Sequence, residues 1–185
     1  MNAPSPWLLR WQHLLAPGMT ALDLACGSGR HLRWLAAHGL AVTGVDRDAQ
    51  AIAPLRALGD GVEIIQADLQ AGPWPLAGRR FDLVLVTNYL WRPLLPLITA
   101  AASPGGLVIY ETFGAGNEAY GRPRSPDFLL TPGELLAACK GLRVLAYEEG
   151  LEPGAEAGSL RAVQRIAARR AANPENANDP PVRLQ

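Results

Sequence analysis

The sequence predicts one α/β domain: a seven-stranded, mostly parallel sheet with helices on both faces and an antiparallel hairpin at its C-terminal end. Three observations predict it. Short runs dense in Val, Ile, Leu and Ala alternate with helix-period segments from residue 20 to residue 112. The first of these runs leads into a Gly-x-Gly turn, Gly27-Ser28-Gly29. The alternation then breaks, and two last apolar runs follow each other across the Gly/Glu/Pro-rich stretch 150–158, as an antiparallel hairpin requires.

Parallel strands buried on both faces read as near-continuous apolar runs, and five such runs occur, at 20–25, 41–45, 62–66, 81–86 and 106–112. Between them, 29–38 stops at Gly39, 48–58 stops at Gly59, and 92–102 precedes Ser103-Pro104-Gly105-Gly106, so each is a predicted helix with a C-terminal stop. Upstream, Ser5-Pro6 supplies an N-cap and a first-turn proline for a helix within 5–16. Residues 114–128 are rich in Gly, Pro, Arg and Ser, which predicts a long loop of the kind that forms a lid or binding loop. Thr131-Pro132-Gly133-Glu134 predicts a helix opening on Thr131 as N-cap, and strands at 142–149 and 160–168 complete the sheet. One domain thus spans 1–170, and the polar, Asn- and Pro-containing tail 171–185 reads as disordered.

Composition narrows the function. At 185 residues there is room for one nucleotide-type domain and no separate substrate domain. Seventeen basic residues balance seventeen acidic ones, so no global field draws the chain to nucleic acid or anionic lipid. No run reaches the length of a membrane span, and the two cysteines, Cys26 and Cys139, lack any paired-ligand spacing; a reducing cytoplasm without a structural metal is expected. His13, His31 and His38 have no metal-ligand spacing either.

The chemistry concentrates at the carboxyl ends of the strands, where open α/β sheets bind ligands. Gly27 and Gly29 allow a tight turn and close approach of a ligand, and the helix that follows offers unpaired amides. Asp46 closes the second strand, where a carboxylate can accept from two ribose hydroxyls, and Asp68 closes the third, where it can accept from an adenine amino group. The third fingerprint glycine of a dinucleotide site falls on Leu32. Asp23, inside the first strand, would repel a pyrophosphate and attract an ammonium.

With Asp23-x-x-Cys26-Gly27-Ser28-Gly29, Asp46, Asp68-Leu69 and Phe81-Asp82-Leu83-Val84-Leu85-Val86 in that order, residues 5–169 resemble the class I S-adenosylmethionine-dependent methyltransferases, and within them the small bacterial tellurite-resistance-type enzymes. The resemblance implies a Rossmann-like fold and S-adenosyl-L-methionine as cofactor. Asp23, Ala25, Cys26, Gly27 and Gly29 would lie along its methionine part, Asp46 and Arg47 beside its ribose, and Asp68 and Leu69 beside its adenine, with Asn88 at the reacting end and the 5–16 helix over the site.

On the acceptor side, Asn88 and Tyr89 follow the fourth strand and Glu111 ends the fifth, making these three the candidate catalytic residues; Glu111 would act as a general base or as an anchor for a cation. Asn88 lacks the flanking prolines of base N-methyltransferases. Trp91, Arg92, Phe113, Arg122, Arg124 and Phe128 are the candidate acceptor contacts. The expected activity is methyl transfer to a small molecule, with N, O, S or a metalloid as acceptor atom and no oligomeric state specified. Two alternatives stand beside it: an RNA methyltransferase using Arg122, Arg124, Arg161, Arg165, Arg169 and Arg170 as a phosphate-binding face, and a module that binds S-adenosylmethionine without turning it over.

Overall fold

The fold was analysed in a computed structural model, which describes residues 3–154, 158–173 and 183. The expected tail 171–185 and the centre of the 150–158 turn therefore fall largely outside the described residues.

Each apolar run forms a strand: β1 Thr20–Leu24, β2 Ala41–Asp46, β3 Val62–Gln66, β4 Phe81–Thr87, β5 Ala102–Phe113, β6 Arg143–Pro153 and β7 Leu160–Arg169. They make one seven-stranded sheet in the order β3-β2-β1-β4-β5-β7-β6. Pairing is parallel from β3 across to β5, and β7 then inserts antiparallel between β5 and β6. The expected hairpin is thus present, with its second strand inside and its first at the edge.

The sheet divides the core in two. One face packs Leu22, Leu24, Val84, Val86, Val108 and Tyr110 against Ile98, Leu130 and Leu135. The other packs Ala21, Leu83, Leu85 and Ile109 against Trp7, Trp11, Leu32 and Leu35. Alternate residues of β1, β4 and β5 feed opposite clusters, which is why these strands carry almost no polar positions.

Helical segments are shorter than the sequence predicts. Helix α1 spans Pro6–Arg10, capped by Ser5 accepting from the Trp7 amide, and a 3-10 turn, Gln12–Leu14, follows it. Helix α2 spans Arg30–Ala37. The expected 48–58 helix is α3, Ala49–Ile52, followed by a 3-10 segment, Ala53–Leu58, because Pro54 removes an amide and restricts the residue before it. Pro93 and Pro96 likewise confine α4 to Leu95–Ala100 behind a 3-10 turn, Arg92–Leu94. Strand β5 starts at Ala102 rather than 106: Ala102 pairs with Phe81, Leu107 with Leu83, and Ser103–Gly106 bulge out between them. Helix α5, Glu134–Ala138, is capped at Gly133 rather than Thr131, because Thr131 turns both its amide and its hydroxyl onto the Glu134 carboxylate instead.

Two glycines set how closely α2 approaches its neighbours, the 3-10 segment 53–58 and β2. A Cβ on Gly29 would overlap the methyls of Leu55, and one on Gly44 would overlap Leu32 Cδ1 and press on Cys26 Sγ at 3.1 Å. Gly44→Ala should therefore cost about 1–3 kcal/mol in a denaturant titration, since neither buried neighbour can withdraw without moving the helix. An unchanged midpoint would show that the layer is looser than this packing.

Candidate functional site

Two clefts open side by side along the carboxyl edge of the sheet. The first, about 230 Å³, is lined by Ala25, Asp46, Arg47, Ala67, Asp68, Leu69, Gln70, Tyr89 and Phe128. Strands β1, β2, β3 and β4 each deliver to it the residues just past their ends, the crevice where the order of an open sheet reverses. The second, about 770 Å³, is lined by Ser5, Arg30, Asn88, Glu111, Phe113, Tyr120, Arg122, Glu152, Leu160 and Arg161, among others. It lies between the N-terminal segment, the 114–128 loop and the β6–β7 hairpin.

Backbone strain marks the boundary. Ala25 and Asn88 are the non-glycine residues with left-handed backbone, at φ 56° and 54°. They sit just past β1 and β4, the adjacent strands at the reversal. Such a conformation costs on the order of 1–2 kcal/mol for an L residue, so each is held there by its surroundings. The Asn88 amide is fixed by the Glu111 carbonyl at 2.9 Å.

In the first cleft, Asp46 is oriented by its own chain: Oδ2 accepts from the Gly27 amide at 2.7 Å and Oδ1 from the Asp48 amide at 2.9 Å. It ties the glycine turn to the end of β2. Gly27 has φ 53° and nothing within 4 Å of where a Cβ would stand, so that side of the turn is open to a ligand. Cys26 and Gly29 face inward: the thiol is buried against Gly44. Asp68 Oδ1 accepts from the amides of Gln70 and Ala71, while Oδ2 lies 4.0 Å from Arg47. These amides hold its carboxyl below the usual range.

Beneath them lies Asp23. It is 1% exposed, and neither carboxylate oxygen has a hydrogen-bond partner. Burial pushes the carboxyl up to about 7, against the pull of the Leu32 amide and then of Arg30. A buried, unpartnered carboxylate is costly, and it fits a cationic ligand group arriving through the turn.

Tyr89 and Phe128, expected on the acceptor side, line the first cleft instead; burial raises the Tyr89 hydroxyl to about 12. Asn88, Glu111, Phe113 and Arg122 meet in the second. Trp91 packs on the core. Arg92 is committed to internal partners: its guanidinium grips Glu134 at 2.8 and 3.0 Å and donates to the Asp127 and Leu129 carbonyls at 3.0 and 2.7 Å. Arg124 is an exposed residue of the loop and lines neither of these two clefts.

Glu111, 1% exposed, has neither Arg92 nor Arg122 as partner. It accepts from the Ser5 hydroxyl at 2.9 Å and faces Arg161 at 3.6 Å and Arg165 at 3.7 Å. Ser5 is in turn held by His31, whose Nε2 accepts its amide at 3.2 Å; burial lowers His31 to about 4, which keeps that nitrogen free to accept. Arg161 also donates to Asn88 Oδ1 at 3.3 Å. Sequence reasoning missed Ser5, Arg30, Glu152 and Arg161 as members of one cleft, because their neighbourhood is made by the hairpin and the N-terminal segment rather than by spacing along the chain.

Residues 21–106 match the family model described as "Methyltransferase domain". The chain has the fold of the class I, S-adenosylmethionine-dependent methyltransferases. The fold is shared with TehB from Haemophilus influenzae at 20% identity and a TM-score of 0.75, covering 92% of this chain and 63% of that one. It is shared with a TehB-like S-adenosylmethionine-dependent methyltransferase from Corynebacterium glutamicum at 22% identity and 0.66, covering 91% and 89%. An S-adenosylmethionine-dependent methyltransferase from Mesorhizobium loti gives 23% identity and 0.65, covering 86% and 95%. The chain thus spans 63% of the length of TehB. No curated protein matches the sequence. Among the described residues no helix is long and apolar enough to cross a membrane, and no His/Cys/Asp/Glu cluster could hold a metal.

Asp23 links the site to stability. Its folded-state value lies above 3.8, so the protonated form favours the folded chain; that contribution is complete below pH 3.8 and is lost as pH rises through about 7. Asp23→Asn, which stays neutral, should therefore stabilise the protein increasingly between pH 3.8 and about 7, with a constant gain above. Melting curves of both proteins across this range test it, and equal melting temperatures at pH 8 would mean that Asp23 has a partner in solution.

Proposed function

We propose that this methyltransferase moves the methyl group of S-adenosylmethionine to a small-molecule acceptor, with the cofactor in the first cleft and the acceptor in the second. The observation that carries the reading is that consecutive residues serve the two: Tyr89 lines the first and Asn88 the second, with the β4 end as the wall between them. When bound, S-adenosylmethionine supplies a methyl group already activated by a positive sulfur. The protein's part is then to align the two molecules and exclude water.

Each residue has a task in this reading. Asp23 takes the ammonium of the methionine portion through the open side of Gly27, and Ala25 lets the chain bend around it. Asp46 receives the ribose hydroxyls on lone pairs its two amide partners leave free; Arg47, Asp68, Leu69 and Phe128 enclose the adenine. Tyr89, whose hydroxyl is buried without a hydrogen-bond partner, closes the cleft toward the sulfur. Asn88 positions the acceptor, fixed by its strained backbone and by Arg161. Glu111 holds Ser5, Arg161 and Arg165 in place around the acceptor rather than offering a free negative charge.

In the 114–128 loop, Asn117 is buried and clamps the Pro123 carbonyl and the Ala162 amide, and Arg92 holds the stretch before Leu130. The part free to close over an acceptor is the tip around Tyr120–Arg124. Against the RNA alternative, Arg161 and Arg165 are ion-paired with Glu111, Glu148 and Glu152, and Arg169 and Arg170 donate to the carbonyls of Gly105 and Thr99. That face is not a free phosphate cradle. Two free buried cysteines, Cys26 and Cys139, support a reducing cytoplasm.

Incubating the protein with methyl-labelled S-adenosylmethionine and a small-molecule extract, with mass spectrometry of the labelled product, tests the activity. Label appearing only in RNA, or no transfer at all, overturns it. Asp46→Ala should weaken cofactor binding by about 1.5–3 kcal/mol in calorimetry while the protein remains folded. Wild-type cofactor affinity should also fall below about pH 7 as Asp23 takes a proton, and Asp23→Asn should bind weakly with that pH dependence gone. A pH-independent wild-type affinity would remove Asp23 from the cofactor site.

A further inference from the structure

A balanced ion network reaches the second cleft through Glu111, Glu152 and Arg161, and a surplus of positive charge lies beside it. Glu148 pairs with Arg10 at 2.7 Å and Arg165 at 2.5 Å. Glu152 pairs with Arg161 at 2.5 Å and Arg165 at 2.7 Å. Glu111 faces Arg161 and Arg165. Three carboxylates thus meet three guanidiniums, and the acids at the cleft are neutralised within the protein. Two further arginines line the same cleft, Arg30 at the start of α2 and Arg122 on the loop, and among the described residues neither has a carboxylate within ion-pairing distance. Beside them stand Phe113, Tyr120 and Leu160, the last two 45% and 42% exposed.

From this arrangement we infer that the acceptor is an organic oxyanion, an apolar body bearing a carboxylate or phosphate group that Arg30 and Arg122 grip. The inference rests on reading the second cleft as the acceptor site. Its reason is electrostatic. A cationic amine entering here meets two arginines without an ion-pair partner and, among the described residues, no free acid, whereas an oxyanion gains charge-assisted hydrogen bonds from planar donors that match it two at a time. The apolar side chains cover the rest of the molecule, and the volume suits a small organic ligand. Arg30 is half-buried and acts on Asp23, so it defines the cofactor end; Arg122 is exposed and arrives from the loop, so it defines the mouth. An acceptor held between the two spans the cleft toward Asn88.

Fluorine NMR of the full chain saturated with S-adenosylhomocysteine tests this without depending on turnover, using 4-fluorobenzoate, 4-fluorophenyl phosphate and 4-fluorobenzylamine as probes. At least one anionic probe should bind and the amine should not, and the stronger of the two anions identifies the oxyanion. Arg30→Gln and Arg122→Gln should each weaken that probe about tenfold, with S-adenosylhomocysteine affinity of Arg122→Gln within about twofold of wild type. The inference is overturned if the amine binds as well as the acids, if neither acid binds at millimolar concentration, or if both variants keep wild-type probe affinity. It is also overturned if Arg30→Gln loses cofactor affinity while keeping wild-type probe affinity, which would assign that guanidinium to the cofactor cleft. Anionic binding without methyl transfer would sink the enzymatic reading and leave the subsite standing.

Discussion

The molecule depends on the reversal of strand order between β1 and β4. Strands leaving β1 go one way across the sheet and strands leaving β4 the other, so the loops at their carboxyl ends part and leave a crevice. Both strands end on a residue forced into left-handed backbone, Ala25 and Asn88. Glycine would relieve the strain at either place, but Asn88 needs its side chain to meet Arg161. A strained asparagine is the compromise between the turn the chain must make and the group it must present.

A second dependence runs through Glu111. It lies at the end of β5, and its carboxylate gathers Ser5 from ahead of α1 and Arg161 and Arg165 from β7. Segments more than one hundred residues apart are thereby fixed around one buried charge. A buried carboxylate of this kind is retained only when several donors surround it, and removing one donor leaves the charge exposed to apolar neighbours. This explains why the N-terminal segment, outside the sheet, lines the same cleft as the C-terminal hairpin.

The sheet was largely legible in the sequence because its strands are buried on both faces, so apolar runs and their order suffice. The glycine turn, Asp46 and Asp68 were legible for a related reason: position at a strand's carboxyl end is itself a function of chain order. What was not legible was partner choice. Arg92 and Arg161 look alike in sequence, yet one braces a loop through Glu134 and carbonyls while the other reaches Asn88. Helix lengths also escaped, because Pro54, Pro93 and Pro96 turn helix-period stretches into 3-10 segments without disturbing their periodicity. Tyr89 went to the other cleft because a single left-handed residue at 88 reverses which side its successor faces.

The two clefts solve opposite electrostatic problems with the same residue types. In the first, Asp23 is buried without a partner, an arrangement that destabilises the empty protein and reserves its charge for a ligand that brings a cation. In the second, each acid already faces a guanidinium, and the charged side chains without an ion-pair partner among the described residues are the guanidiniums of Arg30 and Arg122. On the proposed division of the site, unpaired acid inside and unpaired base outside give the two clefts opposite preferences, a cation deep beside β1 and an anion near the mouth. Cofactor and acceptor would thus each be oriented by charge before any reacting atoms meet, and the Asn88–Tyr89 step would set where the two touch.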